Sequence, residues 1–471
     1  MESKQVALTD GKALPNEGRS GFPVLALAMF LSALGGSAAN VALPALGAAL
    51  DASFAELQWV VLAYLLGLTV FVLIAGRLGD LLGRMRILRW GLAIFSLASV
   101  VAAMAPDVQS LIAVRFIQGS GAALLMTLAV ALVRDWVPAA QTGRAMGLLG
   151  TLSAVGTASG PALGGGLLAL FSWQAIFLLP GGVALLGLML LPPRDRSASP
   201  PSASGRAFDW KSSAWLVLTL ALYALAFASR WESGFAQLSC ALLASLFGYG
   251  LYRSLSASPT PLIDLRHLGA PGLRMALLSN ALIACVMMGT LVIGPFLLST
   301  GMGLSAAQLG LVMAFGPVIS ALSGVPAGRL VDRLGAARVA VLGLGLAAAG
   351  AVALAVGSAV AGLAGFLAGM LLLTPGYQLL QAANNTSAML GAAPDERGSL
   401  SGLLALSRNL GLIGGAALFG GVFAWRLGVN PLHASAAATQ AAFSTCFLLA
   451  AGVLLLGLLG QWRLRAGSAS A

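Results

Sequence analysis

Fourteen apolar segments dominate the chain, and each approaches or exceeds the roughly 20 residues that a helix needs to cross a bilayer. They lie at residues 22–48, 58–76, 87–105, 109–133, 145–171, 174–192, 212–229, 235–253, 273–298, 307–327, 339–357, 361–389, 402–425 and 440–462. Since 59% of the 471 residues are hydrophobic and only 9% are charged, a soluble fold could not bury so much apolar surface. The sequence therefore predicts an all-helical protein that spans a membrane many times.

The basic residues predict the side on which each loop lies. If the chain crosses fourteen times, all 26 lysines and arginines except Arg115, Arg230 and Arg426 fall on one side. Loops rich in Lys and Arg stay in the cytoplasm. We therefore expect both termini to be cytoplasmic in a multi-pass protein of the plasma (inner) membrane. Because the basic residues lie at helix ends and not on a soluble domain, we expect no nucleic acid as a partner.

A repeat and a change of composition predict the domains. The loops GRLGDLLGRMR at 76–86 and GRLVDRLGAAR at 328–338 share glycine, aspartate and arginine at equal offsets. They join the second to the third segment and the tenth to the eleventh, as expected of two six-helix bundles with two helices inserted between them. The predicted divisions are a tail at 1–21, a bundle at 22–192, a Pro/Ser-rich linker at 193–211, inserted helices at 212–254, a linker at 255–272, a bundle at 273–463 and a tail at 464–471.

The fifth segment contains GLLGTLSAVGTASGPALGG, which is unusually rich in glycine. Residues four apart share a helix face, and small residues there let two membrane helices approach closely. The simplest interpretation is a tight helix–helix seam. The complete spacing resembles the antiporter signature of drug exporters in the major facilitator superfamily, which implies a hinge or sliding seam. Its residues are Gly147, Gly156, Gly160, Pro161, Gly164 and Gly165, and we call this set the first glycine seam.

The two repeated loops resemble the loop signature of the same superfamily. The matching residues are Gly76, Asp80, Gly83 and Arg84 in the first copy and Gly328, Asp332 and Arg338 in the second. The resemblance implies a latch that holds the two halves in one conformation. The alternative is that these charged residues serve only to fix the topology.

The fourth segment carries LIAVRFIQGSGAA, which resembles a second signature of the superfamily. The resemblance implies that Arg115, together with Gln118, takes part in proton coupling. An arginine inside a span is costly and usually faces a cavity or a partner. It could instead extend to the outer interface.

The first segment contains SALGGSAANVALP, which resembles the first helix of the fourteen-helix drug/proton antiporters. The family places an aspartate where this chain has Gly35. None of the fifteen acidic residues and neither histidine falls in mid-membrane. Carriers of lipophilic cations need a buried negative group to offset desolvation. The sequence therefore favours a neutral, zwitterionic or anionic substrate and leaves the coupling ion open.

Amide side chains in the twelfth segment predict a polar cavity wall. GYQLLQAANNTSAML carries too many amides for a face in lipid, although interhelical hydrogen bonding is an alternative. We expect a substrate cavity formed by Asn40, Gln378, Gln381, Asn385 and Arg408, with Tyr64 and Asn280 as weaker candidates. Arg408 lies in SRNLGLIGG, which resembles the thirteenth helix of the family.

These resemblances imply a major facilitator fold with fourteen helices. They imply a monomeric secondary transporter that exports small amphipathic organic compounds by alternating access and proton antiport. Alternatives are an uncoupled facilitator or an exporter of lipid-like compounds or organic anions on the same fold, and a non-transporting receptor. An enzyme is not expected, because the helices offer no acid or histidine for catalysis. Cys240, Cys285 and Cys446 lack metal-ligand spacing, so we expect neither a metal nor a cofactor.

Overall fold

The protein is all-helical in a computed structural model that describes residues 16–137, 139–191, 210–228, 234–258, 271–390 and 397–469. The helices are α1 (Asn16–Val41), α2 (Leu43–Ala49), α3 (Phe54–Leu82), α4 (Arg84–Ala103), α5 (Val108–Trp136), α6 (Ala139–Leu170), α7 (Ala175–Leu190), α8 (Trp210–Ala228), α9 (Gly234–Ala257), α10 (Pro271–Phe296), α11 (Ala306–Leu334), α12 (Ala336–Val352), α13 (Ser358–Met389), α14 (Arg397–Leu427) and α15 (Ala436–Ala469). Each predicted apolar segment lies on one of these helices, and the first covers both α1 and α2. The prediction of an all-helical membrane protein is confirmed.

Nine helical stretches in the described ranges are long and apolar enough to cross a membrane, and a tenth is counted if the bent pair α6–α7 is one span. One of the nine, Ala336–Met389, contains two antiparallel helices that turn at Gly362, where φ is 57°. Gly350 on α12 packs on Leu373 of α13, and Gly343 packs on Leu380. The count of fourteen spans and the side of each terminus remain predictions.

Repeated local signals fix equivalent helix ends in the two halves of the chain. Ser53 and Glu56 form a capping box at the start of α3, and Ser305 and Gln308 form the same motif at the start of α11. The turns after α3 and α11 place Gly83 and Gly335 at φ 95° and 82°, where residues other than glycine are strained. The internal repeat therefore extends over the whole of these two helices.

The helices form two bundles. Helices α1 and α3–α7 form the first, and α10–α15 form the second. In the first bundle, α3 packs on α5 and α1 packs on α6, while α10 packs on α14 and α12 on α13 in the second. This is the two-bundle architecture that the repeat predicts.

The bundles meet at the ends that the charge distribution places outside the cell, which we call the outer ends. Phe54 on α3 lies 4.9 Å from Phe296 and 5.6 Å from Phe423, measured between ring centroids. Gly47 on the short helix α2 packs against Leu432 of the second half. An apolar contact therefore closes the space between the bundles at this end.

The inserted hairpin of α8 and α9 fills a gap between the bundles. Leu216 and Leu220 of α8 are buried in one cluster with Leu66 and Val70 of α3. Leu406 and Leu410 of α14 pack against the same cluster. Helix α8 thus packs against both α3 and α14.

Some predicted boundaries differ from the helix ends. Helix α1 begins at Asn16, inside the predicted tail 1–21, and α15 continues to Ala469, through most of the predicted tail 464–471. Most of the linkers 193–211 and 255–272 lies outside the described residues. The proposed division into domains stays a prediction.

Candidate functional site

Arg115 lies inside the first bundle and does not reach the outer interface. Its side chain is fully buried. The guanidinium donates from Nε to the Val60 carbonyl and from Nη1 to the Gly35 carbonyl, each at 3.2 Å, and from Nη1 to Gln118 Oε1. Helices α1, α3 and α5 therefore enclose the predicted coupling residue together.

Aromatic rings and neutral oxygens surround the Arg115 charge. Its Cζ atom lies 4.2 Å from the centroid of the Tyr64 ring and 5.8 Å from that of Phe177, within the range of cation–π attraction. Tyr64 is itself fixed by donating its hydroxyl to the Ser32 carbonyl at 2.7 Å. No carboxylate forms an ion pair with Arg115 in the described ranges, where both recorded ion pairs belong to Arg84.

Gly35 stands where the related family has an aspartate, and its carbonyl takes one of the Arg115 hydrogen bonds. A Cβ atom at Gly35 would lie 3.0 Å from Phe95 Cζ and 3.0 Å from Tyr64 Oη. Those aromatic atoms occupy the space that a side chain would need. At this position a backbone carbonyl, and not a side-chain charge, therefore faces Arg115.

Gln118 connects Arg115 to α4. Its Nε2 donates to Ser99 Oγ at 2.7 Å, and Ser99 Oγ donates to the Phe95 carbonyl at 2.6 Å. The predicted pair Arg115 and Gln118 is thus one hydrogen-bonded network. It orders the interior of the first bundle without any group that changes charge near neutral pH.

The acidic residues whose side chains the structure describes all lie at helix ends or in turns. They are Asp51, Glu56, Asp80, Asp107, Asp135 and Asp332. Asp107 caps α5, and hydrogen bonds from the Ser110 backbone N–H hold the pKa of its carboxyl below its usual value. Their placement agrees with the expectation that the described spans carry no acid in mid-membrane.

The first loop copy forms an ionic cluster within the first bundle. Arg84 contacts Asp80 at 2.9 Å and Asp135 on α5 at 2.6 Å. In the second copy, Asp332 and Arg338 are exposed, and neither forms an ion pair in the part of the chain that the structure describes. In this conformation the ionic contacts of the first loop do not connect the two halves. Gly76 and Gly328 lie just before these aspartates on α3 and α11.

The first glycine seam makes backbone contacts with α1. A Cβ at Gly156 would lie 2.5 Å from the Phe30 carbonyl oxygen, and one at Gly164 would lie 2.9 Å from the Ala38 oxygen. At Gly160 it would overlap the Ser37 side chain. Larger residues at these positions would separate the two helices.

The end of the first glycine seam crosses into the second bundle. Gly165 packs on Gly310 of α11, since a Cβ atom added at Gly165 would lie 2.6 Å from Gly310 Cα. A Cβ atom added at Gly310 would likewise lie 2.6 Å from the Pro161 carbonyl oxygen. Gly147, at the other end of the stretch, has no atom within 4 Å of its Cβ position. The structure therefore packs five of the six predicted residues against other helices, whereas no described atom lies within 4 Å of the Cβ position of Gly147.

A second glycine seam lies on α14, and the sequence analysis missed it. The stretch GLLALSRNLGLIGGAALFG at 402–420 matches 147–165 at four glycines in register. Gly411 and Gly415 pack on the carbonyls of Ala281 and Cys285 on α10, as Gly156 and Gly160 pack on α1. Alignment of the two halves would have found it. We call Gly411, Gly415 and Gly420 the second glycine seam.

The second glycine seam also ends at the opposite bundle. Gly420 packs on the side chain of Gln58, which is buried at the start of α3. Gln58 and Gly310 stand at equivalent positions of the repeated helices α3 and α11. The two bundles thus meet at two related crossings, α6 on α11 and α14 on α3.

The predicted cavity residues of α13 divide between different environments. Gln378 donates to the Ser320 carbonyl on α11 at 2.7 Å. Gln381 Oε1 is buried and has no partner among the described residues, and Asn385 is exposed. The neighbouring Asn384 is buried and contacts Ser279 Oγ at 3.2 Å. Asn384, not Asn385, therefore joins α13 to α10.

Three other candidates also have polar atoms without a partner among the described residues. Asn40 donates to the Gly36 carbonyl at 3.4 Å, and its Oδ1 is unpaired. Asn280 donates to the Leu404 carbonyl at 2.9 Å, and its Oδ1 is likewise unpaired. Arg408 is half-buried, and its Nε has no acceptor. Buried polar atoms of this kind are normally satisfied by water or by a ligand.

Comparisons with known proteins agree with this architecture. The family model described as the Major Facilitator Superfamily matches residues 25–416. The chain is 33% identical to the uncharacterized transporter YebQ of Escherichia coli K12, over 93% of this chain and 96% of the relative. It is 30% identical to the multidrug resistance protein Stp of Mycobacterium tuberculosis H37Rv, over 84% and 74% of the two chains. It is 31% identical to the methyl viologen resistance protein SmvA of Salmonella typhimurium LT2, over 84% and 81%.

Solved structures show the same fold. A mutant of the nucleoside transporter NupG superposes with a TM-score of 0.69 at 13% identity, over 94% of this chain and 99% of the other. A bacterial homolog of the human lysosomal transporter Spinster, in an inward-facing and unoccupied conformation, gives 0.67 at 15% identity, over 96% and 97%.

Proposed function

The chain belongs to the major facilitator superfamily of transporters, and we propose that it exports small amphipathic organic compounds across the plasma membrane. The proposal includes alternating access of one central cavity and action as a single chain. Two relatives are named for multidrug resistance and for methyl viologen resistance, and these names support export.

The observation that carries the proposal is the pair of equivalent crossings between the bundles. Each crossing places a glycine of one bundle against α11 or α3 of the other, close to the outer ends. Small residues at a helix contact let two helices approach closely, and we infer that the bundles pivot where each glycine meets the opposite bundle. Rocking of one bundle against the other around a midplane site is the expected motion of this architecture.

The same proposal assigns the remaining predicted residues. The first loop copy, with Asp80 and Arg84, would latch the halves in the conformation that closes the inner side. Asp332 and Arg338 would serve in the second copy. The cavity would be lined by Asn40, Gln378, Gln381, Asn385 and Arg408.

We further propose that proton antiport drives export and that Arg115 and Gln118 take part in the coupling. The resemblance of their helix to the family signature supports this assignment. The lack of a mid-membrane carboxylate favours a second candidate, an uncoupled facilitator on the same fold. The two candidates differ in their response to a proton gradient.

The experiment is uptake of a mixed compound panel into energised inverted vesicles, followed by collapse of the gradient. Antiport predicts accumulation that stops on collapse and that Arg115→Ala abolishes. The matched control is Arg426→Ala, which removes an exposed arginine at the outer end of α14. Uptake that only equilibrates the compound and ignores the gradient would establish a facilitator. Binding without any uptake would establish a non-transporting receptor and overturn the proposed function.

A further inference from the structure

Arg115 and Arg408 both lie on membrane-spanning helices, and the structure distinguishes them by their access to a ligand. Arg115 is fully buried and donates to two carbonyls and Gln118 while two aromatic rings flank its guanidinium. A ligand could reach it only by displacing part of that enclosure. Arg115 is therefore a fixed internal charge of the first bundle.

Arg408 has the opposite environment. It lies six residues, or about 9 Å at 1.5 Å of rise per residue, inside the span Gly402–Leu427. Its Nε is buried without an acceptor, and no carboxylate among the described residues forms an ion pair with it. A charged group at that depth needs a partner, and a ligand can supply one.

An unpaired acceptor lies on the adjoining helix turn. Asn280 on α10 is 2% exposed and donates to the carbonyl of Leu404, one helical turn before Arg408 on the same face of α14. Its Oδ1 is buried and has no donor among the described residues. The site thus offers one unused cationic donor and, close by, one unused neutral acceptor.

A second acceptor borders this pair from α13. Gln381 Oε1 is buried and unpaired in the described part of the chain. It lies three residues before Asn384, which contacts Ser279, the neighbour of Asn280. Hydrogen bonds from Asn384 to Ser279 and from Asn280 to the Leu404 carbonyl thus bring the polar parts of α10, α13 and α14 near one another in the second bundle.

We propose that Arg408 and Asn280 recognise an amphipathic organic acid whose carboxylate lies close to an N–H or O–H group. The carboxylate accepts from the Arg408 guanidinium, and the adjacent donor binds Asn280 Oδ1, with Gln381 able to accept a second donor. This deepens the proposed function by naming its substrate class, and it rests on that function. It also assigns substrate recognition to Arg408 and not to Arg115.

The test measures binding to the purified full chain in detergent, so it does not depend on transport. The probes are N-(2-naphthoyl)glycine, its uncharged glycinamide and the cationic N-(2-aminoethyl)-2-naphthamide, which share one ring and one amide. We expect the acid to bind at least tenfold more tightly than the glycinamide. Arg408→Gln should remove that preference while glycinamide binding remains, and Arg408→Lys should restore part of it.

Two further variants separate recognition from folding. Asn280→Ala should weaken the acid and the glycinamide by similar factors, because both lose the acceptor for their amide N–H. Arg426→Gln, at the outer end of the same helix, should leave the tenfold preference unchanged. Each variant is first shown to have a cooperative thermal unfolding transition.

Several results would overturn the proposal. They are equal binding of acid and glycinamide, tightest binding of the cation, no binding by any probe, or an acid preference that survives Arg408→Gln. The vesicle assay tests the proposed function independently of these binding measurements. Export of cations alone would support the proposed transport and contradict this binding site. Binding of the acid without its accumulation in vesicles would support the binding site and contradict the proposed transport.

Discussion

Arg115 shows how a membrane helix can carry a charge without a counter-ion. Its partners are the Gly35 and Val60 carbonyls, the Gln118 amide and the faces of Tyr64 and Phe177. These groups offer partial charges only, and Nη2 has no partner among the described residues. Burying such a charge is costly, and an apolar replacement of similar size is often neutral or stabilising. Stability therefore does not explain the residue.

The first prediction follows from that comparison. Arg115→Met, which keeps the length of the side chain, should leave the thermal unfolding temperature unchanged or raise it, and should abolish gradient-dependent export. Arg115→Ala should lower stability by about 2–5 kcal/mol, because it leaves a cavity. Thermal unfolding and vesicle uptake measure the two effects. Strong destabilisation by Met with transport intact would show a purely structural role.

Gly35 gives the second prediction. Gly35→Asp would restore the carboxylate typical of the family, but its Cβ would press on Phe95 and Tyr64 at 3.0 Å. Overpacking costs about 1–3 kcal/mol, whereas a buried ion pair roughly breaks even. We therefore expect Gly35→Asp to be destabilising. Adding Phe95→Leu should recover part of the loss in a double-mutant cycle of unfolding free energies.

One result of that double-mutant cycle would contradict the expected destabilisation. If Gly35→Asp alone were more stable than the parent, the pairing with Arg115 would outweigh the steric conflict. The aromatic packing around Gly35 would then not be what excludes a carboxylate.

At the scale of the helices, the two glycine seams form equivalent pairs of contacts. Gly156 packs on α1 as Gly411 packs on α10, and Gly165 meets α11 as Gly420 meets α3. The difference between the crossings is Gln58, a buried side chain at the position where α11 has Gly310. One crossing is therefore backbone against backbone, and the other is backbone against an amide side chain.

The third prediction compares glycines within the same two helices. Gly415→Ala would place its Cβ 2.7 Å from Cys285 Cα, and Gly164→Ala would place its Cβ 2.9 Å from the Ala38 oxygen. Each should cost about 1–3 kcal/mol, because backbone must move. Gly147→Ala and Gly402→Ala, with no atom within 4 Å, are the matched controls and should be neutral or stabilising by up to about 1 kcal/mol.

Thermal unfolding of the four purified variants measures this difference. Equal changes in unfolding free energy at the packed glycines and at the two control glycines would mean that the seams are not close contacts. Transport of the two control variants should stay normal, since no described atom lies within 4 Å of the added Cβ in either.

Much of this helix-scale arrangement is predictable from the sequence, because apolar length and glycine spacing act locally. The fourteen segments predict where the helices lie, and the spacing from Gly156 to Gly165 predicts a close seam. The apolar sequence around Arg115 predicts its place within a span, but it left open whether the side chain faces the interior or the outer interface. The partners of these residues are not predictable, since they are backbone atoms of distant helices such as the Gly35 carbonyl.

The errors at this scale also have physical reasons. Asn385 and Asn384 are neighbours, and only the rotation of α13 against α10 decides that Asn384 is buried and Asn385 exposed. Gly147 belongs to the same spacing as the other glycines, but no described helix packs within 4 Å of its Cβ position. The second glycine seam was missed because Ala416 replaces the proline that marks the first.

At the scale of the whole molecule, the inserted hairpin makes the two sides of the protein unequal. Helix α8 joins α3 and α14 in one apolar cluster, and Tyr223 Oη lies against Gly414. Around α6 and α11, the glycines Gly147 and Gly150 have no close neighbour. Aromatic contacts such as Phe54 on Phe423 close the outer ends. Under the proposed topology these aromatic contacts lie at the outer side, and we expect the bundles to separate at the inner side. The vesicle experiments test the direction of transport.

The central claim is that the two bundles move against each other around the outer crossings, and two spin-label distances test it directly. Suitable exposed positions are Leu82 with Leu334 at the inner ends and Met104 with Val429 at the outer ends, after the three native cysteines are replaced. During turnover in a proton gradient, the inner distance should shorten while the outer distance lengthens. Two distances that stay fixed, or that change in the same direction, would contradict alternating access.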